Sequence, residues 1–144
     1  MQNISEMLDL PFNHTVTIII ITVIISMVAF SNQNVMNRLI FWPPAMQRGQ
    51  YDRFITHGFI HADGMHLLFN MFTLFFFGSI IESFYRQYFY ELGFVLFYLG
   101  GLIFAILPSY LKHKNDVRWA SLGASGAVSA VLFAYVLFEP WKLI

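Results

Sequence analysis

Residues 66–82 read HLLFNMFTLFFFGSIIE, from His66 to Glu82. Every residue from Leu67 to Ile81 is uncharged, and five of them are Phe. His66 and Asn70 are four apart, so a helix places them on one face, one turn from each other. Backbone groups in lipid need partners within their own segment, so an apolar run that enters a bilayer is a helix. Spanning takes about 20 residues, with a range of roughly 17–25. This run reaches that length when its polar flanks enter, and the span is placed at 65–84.

Three more apolar runs lie around it. Thr15 to Phe30 is uncharged and rich in Ile and Val. Leu92 to Leu111 is uncharged, with Gly100-Gly101 in the middle and Pro108 near the end. Trp119 to Phe138 is uncharged and ends at Glu139-Pro140. They give expected spans at 14–31, 91–111 and 119–138. The fold class is therefore an all-α membrane protein, a polytopic transmembrane helix bundle of one domain over 1–144.

Composition agrees. Only 11% of the 144 residues are charged, against about 25% in a soluble domain. A water-facing surface cannot be built from so few charges, so the lipid bilayer covers much of the chain. Net charge is zero, and no basic block suggests nucleic acid. The absence of cysteine excludes disulfides, thiolate metal sites and a Cys nucleophile. The first 12 residues carry Glu6 and Asp9 but no Lys or Arg, a poor start for a signal peptide, so the first run reads as a retained span.

The segment 32–64 is different. It is half polar and carries Phe41, Trp42, Tyr51, Phe54 and Phe59. Pro43-Pro44 is expected to break any helix there. Trp and Tyr favour the headgroup level, so the segment reads as a folded loop in the membrane interface, rather than a solvated linker.

Two constellations carry chemistry. The first is His57-Gly-Phe-Ile-His61, followed by His66 and Asn70. Polar groups at the head of an apolar helix are costly without a partner or a task. Donors aimed at one point stabilise an oxyanion, and the plainer reading is a polar clasp between helices. His57 and His61 also form HxxxH, which admits a histidine-box metal oxidase; five His are few for such a site. The second constellation is Gly123-Ala-Ser125-Gly126. Glycines flanking a Ser let a backbone approach closely, and a helix starting there aims its N–H groups at the same place. The plainer reading is a small-residue stripe, Gly126, Ala130 and Ala134, used for helix contact. Spans separated by one other span run parallel, so both polar starts fall at one membrane face.

Together these residues resemble the rhomboid family of intramembrane serine proteases. Arg53-Phe-Ile-Thr-His57-Gly-Phe-Ile-His61, His66-Leu-Leu-Phe-Asn70, Gly78 and Glu82 match its loop and second helix, and Gly123-Ala-Ser125-Gly126 matches its GxSG. The resemblance implies Ser125 as nucleophile, with His66, Asn70 and the Ser125 backbone N–H as the oxyanion hole. It implies structural roles for Arg53 and Glu82; an ion pair of Glu82 with Arg86 is the plainer reading of the latter. It implies transmembrane protein substrates, no cofactor and no metal. The expected setting is a bacterial inner or plasma membrane, with the site open to the extracytoplasmic side. A catalytically inactive rhomboid-like binding factor is the alternative.

Three features depart from that pattern. The family's general base is a His on a sixth helix, whereas four spans are present here, so the base is unassigned and expected beyond Ile144, on further helices of the same chain. The residue four after the nucleophile, often Tyr, is Ser129. With the first span running outward, six of the eight Lys and Arg fall outside, against the positive-inside preference.

Overall fold

A computed structural model describes residues 13–141; the readings of residues 1–12 and 142–144 lie outside it. Helix α1 is His14–Ser31. Three short helices follow, α2 (Gln33–Leu39), α3 (Pro43–Gln47) and α4 (Arg53–Thr56), the last running into a tight turn at His57–Phe59. Then come α5 (Gly64–Tyr88), α6 (Gly93–His113) and α7 (Ser125–Phe138). The molecule is a helical bundle in which α1, α5 and α6 are long and apolar enough to cross a membrane.

Helix α1 is turned inside out relative to a helix of a soluble protein. The buried stripe of α1 is Thr15, Ile18, Thr22, Ser26 and Ala29, while Ile20, Ile21, Ile24, Met27 and Val28 face outward. Small and polar side chains let helix backbones approach where lipid gives no hydrophobic drive. Gly78 shows the same economy: a methyl group there would lie 2.7 Å from Thr15 Cγ2. On α6 the inner face is Phe94, Tyr98, Leu102 and Ile106, one residue per turn. The first three meet Leu67, Met71 and Leu74 of α5 and Ala127, Val131 and Tyr135 of α7 in the main core, and Ile106 packs with Phe41 and Met46. Helix α5 opens on Asp63, whose carboxylate accepts the His66 N–H at 2.8 Å. One wide turn at Leu74–Gly78 interrupts its regular winding.

Two expectations about elements are corrected. Pro43-Pro44 does not prevent a helix; it starts one, with Pro in the first turn of α3, where the missing N–H costs nothing. Nor is the run from Trp119 helical from its start. Residues 119–124 are irregular, and Ser121 pairs with Phe41 through backbone bonds of 2.9 and 3.0 Å. Helix α7 begins at Ser125 and has 14 residues, about 21 Å at 1.5 Å per residue, less than the roughly 30 Å hydrocarbon thickness.

The segment between α1 and α5 is packed rather than loose. Phe41 is fully buried, and the rings of Phe54, His57, Tyr110 and Trp119 stand edge-on to it at 5.1–6.2 Å. Trp42 Nε1 donates to the Val117 carbonyl at 2.9 Å, and Gln47 Nε2 to that of Lys114 at 3.1 Å. The α1–α5 loop and the α6–α7 connection therefore form one layer.

Candidate active site

The backbone turn before α7 is the first element of the site. Gly123 has φ +111°, a conformation that L side chains rarely adopt. A methyl group at Gly123 would also lie 2.8 Å from His66 Cε1, so the His66 ring lies directly on this glycine. The Gly123 N–H donates to the His57 carbonyl at 2.8 Å. The next amide, Ala124 N–H, donates to His61 Nε2 at 3.3 Å. Ala124 is buried, and Ser125 follows it, exposed, as the first residue of α7. The leading N–H groups of a helix lack intrahelical acceptors, so Ser125 stands where bound donors and a positive dipole end converge.

Opposite this turn is the head of α5. The His66 ring stands edge-on to the His61 ring at 5.1 Å. One turn further, Asn70 is buried, and its Nδ2 has no hydrogen-bond partner among the described residues. A buried donor without an acceptor costs about 1–3 kcal/mol, a cost the fold retains one turn from His66.

His57 and His61 belong to the scaffold around these groups. His57 Nδ1 donates to the Arg53 carbonyl at 2.9 Å, and burial lowers its pKa against the opposing backbone bonds. Burial, helped by His66 and opposed by Asp63, lowers His61 to about 4. His57 Nδ1 and both nitrogens of His61 thus serve the protein's own groups, and among the described residues no three His, Cys, Asp or Glu side chains gather to hold a metal.

Arg53 and Glu82 each hold another part of the bundle. The Arg53 guanidinium is buried and donates to the Asn37 and Ile40 carbonyls at 2.9 and 2.6 Å, at the C-terminal end of α2. Its Nε donates to Gln50 Oε1 at 2.8 Å. Glu82 lies near the far end of α5 and receives the first donors of α1. Its oxygens accept Thr15 N–H at 2.8 Å, Thr15 O–H at 2.7 Å, His14 N–H at 2.8 Å and His14 Nδ1 at 3.0 Å. The Arg86 pair exists at 3.2 Å but is one contact among five. Gly126 faces α6, where an added methyl would collide with Ala105 Cβ, so the small-residue contact at this position is real.

The structure therefore gathers His57, His61, His66 and Gly123 around the start of α7 and leaves Glu82 at the opposite end of the bundle. Sequence reasoning missed Ser26, whose Oγ lies 3.0 Å from His61 Nδ1, and the two amides at Gly123 and Ala124. Ser26 had a signal: it shares the helical face of Thr15, Thr22 and Ala29. The amides had none, since an N–H partner leaves no trace in residue type.

Comparison with known proteins adds an independent line. The family model of the Rhomboid domain matches residues 48–144. The chain is 32% identical over 126 residues to the Rhomboid protease GlpG of Enterobacter sp. (strain 638), covering 85% of this chain and 41% of that protein. It is 30% identical over 123 residues to RHOMBOID-like protein 12, mitochondrial, of Arabidopsis thaliana, covering 77% of this chain and 36% of that one. The chain thus spans well under half the length of these curated relatives.

Proposed function

Since the chain belongs to the rhomboid family, we propose that it supplies the nucleophile and the oxyanion hole of a serine protease that cuts transmembrane proteins inside the membrane. Ser125 Oγ attacks a peptide carbonyl while a His base takes its proton. The charge that forms on the carbonyl oxygen is met by Asn70 Nδ2, the His66 ring and the Ser125 N–H. Collapse of the tetrahedral intermediate returns the proton to the leaving amine and leaves an acyl-enzyme on Ser125, which water then hydrolyses. A substrate helix has its carbonyls locked in i to i+4 bonds, so it must unwind at the cut.

The observation that carries this reading is the buried Asn70 Nδ2, without a partner among the described residues, one turn below the His66 ring, which itself packs on Gly123. The base is proposed to come from outside residues 1–144. His14, His57, His61 and His113 are held by Glu82, by the Arg53 carbonyl, by Ser26 with Ala124, and by stacking on Trp119. A rhomboid-like binding factor without activity is the alternative. We place the protein in a bacterial plasma membrane with the site outward; one relative carries a mitochondrial name.

A fluorophosphonate or isocoumarin probe applied to the complete protein tests both readings. Labelling that disappears in Ser125→Ala supports the protease. Equal labelling of the variant removes Ser125 as nucleophile, and no labelling of either protein favours the binding factor.

A further inference from the structure

We propose that His61 is a positioning residue: its neutral ring, carrying its proton on Nδ1, fixes the Ala124 amide and thereby seats the Ser125 turn against α1. This rests on the reading of Ser125 as nucleophile.

The argument is one of proton counting. The Ser26 hydroxyl donates its single hydrogen to the Phe59 carbonyl at 3.0 Å. It has none left for His61, so the 3.0 Å contact between Ser26 Oγ and His61 Nδ1 requires the imidazole to donate. An imidazole that donates from Nδ1 and is neutral has a lone pair on Nε2. The Ala124 N–H lies 3.3 Å from that nitrogen and donates to it. One tautomer satisfies every group, and no other does. The ring is fully buried, so water cannot substitute for either partner.

The chain of contacts runs from the Phe59 carbonyl through Ser26 of α1 and His61 to the residue preceding Ser125. The Gly123 amide is already taken by the His57 carbonyl. Two successive amides ahead of the nucleophile are thus fixed by the same loop, and only the second through a titratable acceptor. Adding a proton to His61 turns Nε2 into a donor facing another donor, and the Ala124 amide must leave. The charged and titratable groups facing the ring are His66 on α5, which disfavours that proton, and Asp63 in the turn before α5, which favours it; Ser26 on α1 and Ala124 at α7 are neutral. Burial is the largest effect and keeps the ring neutral down to about pH 4.

His61→Gln tests this directly. Its side-chain oxygen can accept the Ala124 N–H but takes no proton. The amide resonance of Ala124 in the wild-type protein should titrate with a midpoint near pH 4 and stay flat in His61→Gln. The rate of probe labelling should follow. Groups common to both proteins, the general base included, cancel in the ratio of His61→Gln to wild type. That ratio should rise about tenfold by one pH unit below the midpoint, as the neutral fraction of His61 falls. An Ala124 amide indifferent to pH over this range, or a ratio flat with pH, overturns the proposal. Should His61→Gln fail to fold, the wild-type amide titration still decides. Labelling that persists in Ser125→Ala would remove the nucleophile instead, and the amide titration would stand apart from that result.

Discussion

Asn70 shows how a single residue divides between structure and chemistry. If its buried Nδ2 served the ground state it would have a protein acceptor, and among the described residues it has none. Under the proposed mechanism its partner exists only in the transition state. Asn70→Ala should therefore lower kcat, by about 10²–10³ if it is a main oxyanion donor, with little change in KM; a pure KM effect would assign it to substrate binding. His61 gives a second prediction, on stability. Its folded pKa is about 4 against an ordinary 6.5, so the unfolded chain binds more protons between those values. Its contribution to stability is full above about pH 6.5, declines as pH falls, and is lost below about pH 4. Unfolding in detergent across this range should show a shallower acid decline in His61→Gln; an identical slope would exclude His61 as the source. The residue types of the proposed site were legible because GASG heads an apolar run and His66 and Asn70 share a face. The function of His61 was not, because its partners are 35 and 63 residues away.

At the scale of elements, apolar runs gave the helices and missed where they are clipped. The run from Trp119 looks helical throughout, but Gly123 needs a positive φ and the amides of Gly123 and Ala124 are bound outside the helix. Hydropathy cannot see either event. Glu82 raises the matching question for α1, namely whether it pairs along its own helix or caps another. The geometry favours the cap, since Glu82 is buried and four of its five contacts come from His14 and Thr15. Glu82 sits near the C-terminal end of α5, while Ser26, late in α1, meets the loop before α5, so the two helices run antiparallel. Removing one partner of a buried charged cluster costs about 3–5 kcal/mol, whereas a single i, i+4 pair along one helix is worth about 0.2–0.5 kcal/mol. Glu82→Ala should thus lower the unfolding temperature sharply and Arg86→Ala only slightly. Equal losses would mean that Glu82 acts through its pair with Arg86 and not as the cap of α1.

For the whole molecule, an apolar exterior, with the small and polar stripe of α1 turned inward, identifies lipid as the solvent, and the sequence carried that in its scarcity of charge. The sidedness was not legible, because the charge count and the family resemblance point opposite ways. The structure changes how those charges are weighed. Of the six Lys and Arg on the loop-bearing side, Arg53 is buried against backbone carbonyls, Arg38 pairs with Asp52 at 2.9 Å, and Arg48 lies over Trp42 at 5.2 Å. Half of them are thus engaged within the loop itself. The bonds from Trp42 to Val117 and from Gln47 to Lys114 tie both charged segments into one layer, whereas Arg86 lies with Glu82 at the other end of α5. The chain has no cysteine, so single cysteines at the exposed positions Asn34, Asn115 and Gln87 can be read with a membrane-impermeant maleimide on intact cells. Asn34→Cys and Asn115→Cys should react from the same side, and Gln87→Cys only after the membrane is opened. Reaction of Asn34→Cys and Asn115→Cys from opposite sides would break the bundle as described. If both were shielded while Gln87→Cys reacted, the bundle would stand with the site facing the cytoplasm, and the charge count would have been the better guide.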